Sequence, residues 1–96
     1  MDAIKRYTIN YRTAERAFVQ KDDNYNYIAT ALKMVDATKL ICGTVPTITL
    51  NTAFDPLLGR VRRWFEINDQ TITLGTDSPL QAGCSLLTYL SNTLED

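Results

Sequence analysis

A chain of 96 residues with 45% hydrophobic and 22% charged residues has the composition of a folded protein and lies far from the disordered class. Ten basic against eleven acidic residues give a formal charge of −1, which excludes the global positive field of a protein that coats nucleic acid. With no histidine, and with Cys42 and Cys84 far apart, the chain also lacks zinc-type ligand spacing, a dense disulfide framework and the commonest general base.

At this length one domain covering 1–96 is expected, burying only about 60 to 65% of the surface its unfolded chain exposes. So thin a core is commonly reinforced by association, and a homo-oligomer is the expectation. The opening "MDAIKRYTINYR" has no apolar run of the signal-peptide kind, and no stretch approaches the ~18 to 20 apolar residues of a membrane span. A soluble cytoplasmic protein without membrane contact is expected, its two cysteines acting as small buried hydrophobes. A Cys42–Cys84 bridge belongs to the opposite case, an exported protein.

In chain order, Ile4, Tyr7, Tyr11, Ala14 and Phe18 recur at intervals of three and four, which predicts a first helix. The phase resumes with Tyr25, Ile28, Leu32 and Val35. Between them "KDDNYN" offers Asp and Asn side chains that compete with the helical backbone, so a break is expected near 21 to 24. Two helices joined by so short a link form a hairpin, the second running from Asn24 or Tyr25 to Cys42 and stopping at Gly43.

After Gly43 the period changes. "TVPTITLN" alternates threonine with apolar residues and predicts a half-buried strand. Asp55 before Pro56 resembles a helix cap, and Leu57, Leu58, Val61, Trp64 and Phe65 fit within about 120° of helix surface, so a third helix is expected over 56 to 67. A competing reading makes "RRWFEI", "ND" and "QTITL" an antiparallel hairpin, because Phe65, Ile67, Ile72 and Leu74 alternate. Ser78, Pro79 and Gln81 stand as a capping box for a last helix whose apolar stripe is Leu80, Cys84, Leu87, Leu90 and Leu94, with Leu86 at its margin.

The tetrapeptide "TITL" occurs at 47–50 and again at 71–74, and the match extends to "TITLNTAFDPL" and "TITLGTDSPL". Two tandem strand-helix units would follow, with parallel strands if they pair, and shared turn and cap chemistry is favoured over duplication as the cause of the likeness. The resulting fold class is a small helix-rich α+β domain in the order ααβαβα.

For function, missing nucleophile motifs, phosphate loops and metal-ligand clusters point away from catalysis, and no cofactor or metal is expected. The Tyr and Asn cluster Asn24, Tyr25, Asn26 and Tyr27 offers amphipathic contact area suited to a protein partner. A non-catalytic adaptor or regulatory domain that binds a protein, and itself, is the primary expectation. The alternative is a nucleic-acid or anion-binding module. It would use Arg60, Arg62 and Arg63 beside Trp64, with Lys5, Arg12 and Arg16 on the outer side of a basic first helix.

Overall fold

This computed structural model describes residues 4–67 and 70–72 and, beyond them, Cys84, Leu86, Thr88 and Leu90. The elements are β1 (Lys5–Thr8), α1 (Tyr11–Val19), α2 (Tyr25–Cys42), β2 (Ile48–Asp55), β3 (Arg60–Ile67) and β4 (Gln70–Ile72). The class is α+β, but the order among the described residues is βααβββ, not ααβαβα. All four strands form one antiparallel sheet in the order β1-β2-β3-β4.

The first expected helix is split. Its N-terminal residues, Lys5 to Thr8, pair with Thr52 to Thr49 of β2. The helix starts only after Asn10, whose side-chain oxygen accepts the Thr13 N–H at 2.8 Å. That cap places the boundary three residues beyond Tyr7, and the intervals of Ile4 and Tyr7 match the helical stripe by coincidence. The break near 21 to 24 is present. Lys21 takes the left-handed conformation at φ 52°, with Asp22 N–H bonded to Ala17 C=O and Lys21 N–H to Phe18 C=O. This is the paired closure usually built on glycine. Helix α2 spans the expected residues and stops at Gly43, whose φ of 79° is the conformation a glycine best tolerates.

The expected helix over 56 to 67 is instead a β-turn and strand β3, and the predicted parallel crossover is absent. The Asp-Pro signal is used, but locally: Asp55 Oδ1 accepts the N–H groups of Leu57 (2.9 Å) and Leu58 (3.4 Å), and Gly59 at φ 65° turns the chain back. An Asp side chain that gathers the next amides opens a turn as readily as a helix, and eight residues of cross-strand pairing then decide for the strand. The strand pairing of the competing hairpin is the one observed, while its Asn68-Asp69 turn lies outside the described residues. Phe65, Glu66 and Ile67 pair with Ile72, Thr71 and Gln70, while Leu74 lies outside the described residues.

The two TITL copies therefore flank one strand. Phe65 is paired with Leu50 of the first copy and with Ile72 of the second. The first copy leads into a strand turn, so the tandem strand-helix repeat does not hold. The proposed capping box Ser78, Pro79 and Gln81 lies outside the described residues, as do Leu80, Leu87 and Leu94. Cys84, Leu86, Thr88 and Leu90 are helical. Leu86 and Leu90 are buried in the core, while Cys84, expected in the stripe as a buried hydrophobe, is an exposed free thiol.

Alternation divides the sheet into two faces. Tyr7, Ile48, Leu50, Phe65 and Ile67 lie on the face that packs against Ala17 of α1 and Tyr27, Ile28, Ala31 and Leu32 of α2. The opposite face carries Arg6, Asn51, Ala53, Arg60, Arg62 and Trp64. Trp64, expected at the centre of a helical core stripe, is half-buried there. Among the described residues no helix is long and apolar enough to cross a membrane.

Candidate functional site

Where α2 begins, its first turn meets the helix-side face of the sheet beside Tyr7 of β1 and Arg63 of β3. Arg63 Nε donates to Asn24 Oδ1 at 2.6 Å, Asn24 Nδ2 donates to the Tyr7 hydroxyl at 3.4 Å, and that hydroxyl donates to Asp22 Oδ2 at 2.9 Å. The second Asp22 oxygen accepts the Asn24 backbone N–H at 2.8 Å. The hydrogen bonds thus all run in one direction, from a guanidinium to a carboxylate, which lets each group polarise the next. The Arg63 guanidinium carbon also sits 4.4 Å from the centre of the Tyr27 ring, a cation–π contact.

Burial is the largest influence on the Tyr7 phenol and raises its pKa, and Asp22 raises it further against the opposing pull of Asn24 and Arg63. The proton stays on Tyr7 at neutral pH, and the donation to Asp22 is kept. Tyr11 on α1 also donates to a carboxylate, that of Asp36, which likewise raises its pKa.

Residues selected for rival functions therefore meet in one network. Asn24 and Tyr27, proposed for partner binding, are buried against Arg63, proposed for anion binding. Of the other two partner candidates, Tyr25 is half-buried with its ring edge-on to Phe18 at 5.4 Å, and Asn26 is exposed. The basic set is spread over three surfaces. Lys5 is on β1, not on the first helix, and with Arg63 it lines a recess of about 330 Å³ between the sheet and the α1–α2 link. Arg60 and Arg62 point to the opposite face, Arg62 lying 3.6 Å from Asp55, while Arg12 and Arg16 are on α1.

The recess opens toward the β2–β3 turn through Phe54 and Val61, which are cross-strand partners. Beyond them Leu57 is 95% exposed and Leu58 56% exposed, so the tip of the hairpin is apolar and open to solvent. Read as a helix, Leu57, Leu58 and Val61 belonged to the core. In the hairpin they lie outside it. The signal that could have found them is the run Asp-Pro-Leu-Leu-Gly, which places two leucines inside a turn bounded by turn-forming residues.

Among the described residues no group of three His, Cys, Asp or Glu side chains could hold a metal ion. Comparison with known protein families, with curated proteins and with solved structures finds no match.

Proposed function

We propose that this chain is a non-catalytic protein-interaction domain, of adaptor or regulatory type, that holds its partner through the apolar tip of the β2–β3 hairpin. The observation that carries the reading is the exposure of Leu57 and Leu58 at the end of a fully paired eight-residue ladder, with Phe54 and Val61 behind them. Surface leucines scattered singly need no explanation, but a contiguous apolar projection on a rigid arm does. Burying one such side chain in a partner's recess is worth about 1.5–3 kcal/mol, so the two leucines together would supply a sizeable share of the binding energy. Gly59 holds the turn, so little order has to be imposed on binding. Of the Tyr and Asn cluster, Asn26 is the exposed member and Tyr25 is half-buried, so they are candidate secondary contacts for the same partner.

Self-association belongs to the same proposal and rests on the small core of a chain of this length. The test is the double variant Leu57→Ser, Leu58→Ser. Its denaturation midpoint should match the parent within about 0.5 kcal/mol, since both positions are exposed. Proteins co-purified with the parent should be lost from it, and any dimer seen by light scattering should dissociate. An unchanged set of partners with unchanged mass would remove the hairpin tip from consideration.

A further inference from the structure

We propose that the groove between the outer edge of β1 and helix α1 binds an extended acidic segment of a protein partner by strand addition. This surface is separate from the hairpin tip and does not depend on it.

The backbone comes first. Ile9 N–H donates to Ile48 C=O at 2.9 Å, which sets the register: Tyr7 with Leu50 and Lys5 with Thr52 are the hydrogen-bonded pairs of the ladder. The alternate residues, Arg6 and Thr8, then direct their N–H and C=O groups away from β2. Among the described residues β1 is the edge of the sheet on that side. An edge of unpaired backbone groups is a template for another extended chain.

The helix supplies the second wall. The chain reverses at Asn10, and α1 returns alongside β1, leaving a groove of about 360 Å³ between Arg6 and Thr8 on the strand and Thr13, Arg16, Ala17 and Gln20 on the helix. A strand lying in it would bond to Arg6 and Thr8 and turn alternate side chains toward α1.

Charge selects the occupant. Arg6 and Arg16 both line the groove, and among the described residues neither makes an ion pair. Asp22, also at the groove, has both oxygens engaged by Tyr7 and Asn24. Successive side chains of an added strand point to opposite faces of the sheet. Two adjacent acidic residues would therefore reach Arg6 on one face and Arg16 on the other. A second copy of this chain is a poorer occupant, because its β1 edge carries Lys5 and Arg6 and no acidic residue to offer Arg6 and Arg16.

The test uses the full chain and a fluorescein-labelled peptide of alternating threonine and valine with two adjacent glutamates at its centre. Fluorescence anisotropy should show saturable binding. Replacing the valines beside the glutamates with proline, which removes backbone donors, should weaken binding by at least about tenfold, as should lysines in place of the glutamates. The Arg6→Glu, Arg16→Glu variant should reverse the preference and take the lysine peptide. Amide exchange at Arg6 and Thr8 should slow on saturation with the glutamate peptide, and the Leu57→Ser, Leu58→Ser variant should bind that peptide with parental affinity. Equal binding of the proline peptide would reduce the site to a charged surface and overturn strand addition. Failure of the glutamate peptide to bind would overturn the proposal outright. So would sedimentation as a dimer with Arg6 and Thr8 already protected, which would assign the groove to a second copy.

Discussion

Phe65→Ala is expected to remove about 3–5 kcal/mol of stability, the usual loss when a large aromatic is deleted from a tightly packed interior. Phe65 is completely buried on the central run of β3, opposite Leu50 on one neighbouring strand and Ile72 on the other. Its ring belongs to the core formed with Leu50 and Ile48 of β2 and with Ile28 and Leu32 of α2, so deleting it would open a cavity there. For a domain of this length total stability is of order 5–15 kcal/mol, so the variant would sit close to its unfolding threshold. Val61 lies four residues away on the same face of the same strand but is exposed, and Val61→Ala should cost only about 0.5 kcal/mol. Urea denaturation of the two variants checks the contrast. Similar midpoints would mean that the sheet's centre is not where the structure puts it.

The second large effect has the opposite sign. Asn51 is 0% exposed, and neither its amide nitrogen nor its carbonyl oxygen has a hydrogen-bond partner. It stands between Arg6 and Trp64 on the sheet face opposite α1 and α2. A buried amide stripped of water and left unpaired costs about 1–3 kcal/mol, whereas an apolar side chain of the same shape incurs no such penalty. Asn51→Leu keeps the number and branching of side-chain heavy atoms while removing the polar ones, and it is expected to stabilise the domain by about that amount. The check is the shift of the chemical denaturation midpoint at unchanged slope. A loss of stability would show that the amide contributes favourably where it stands.

The parts of the fold that were legible in the sequence are those where local chemistry acts alone. Helix α2 and its stop at Gly43 follow from a long period and a residue free to turn left-handed, and the break before it follows from Asp and Asn. Strand β1 was hidden because Ile4, Tyr7 and Tyr11 happen to fall at helical intervals, and only the Asn10 cap shows where the helix starts. Strand β3 was hidden for a deeper reason. Asp55 and Pro56 serve a turn and a helix equally, and Leu57, Leu58, Val61, Trp64 and Phe65 fit a helical face. What separates the two outcomes is pairing with β2 and β4, a long-range term that no window of sequence contains. The candidate site suffered from the same error. Asn24, Tyr27 and Arg63 were singled out for competing roles, and their convergence depends on which face of β3 carries Arg63. The exposed leucines at 57 and 58 were concealed by the helix assignment itself.

The register of the sheet also has a kinetic meaning. Strands β2 and β3 are joined by a four-residue turn, so their ladder closes with little loss of chain entropy. The ladder of β1 joins Thr8 to Thr49 and Lys5 to Thr52, 41 and 47 positions apart, with both helices in between. Such a closure is slow and is rewarded only after its neighbours are in place. The hairpin is thus expected to assemble early and β1 to dock late and release first, a difference that native-state amide exchange would read as weaker protection in β1 than in β2. The peptide groove, built against β1, would then exist only in fully folded molecules.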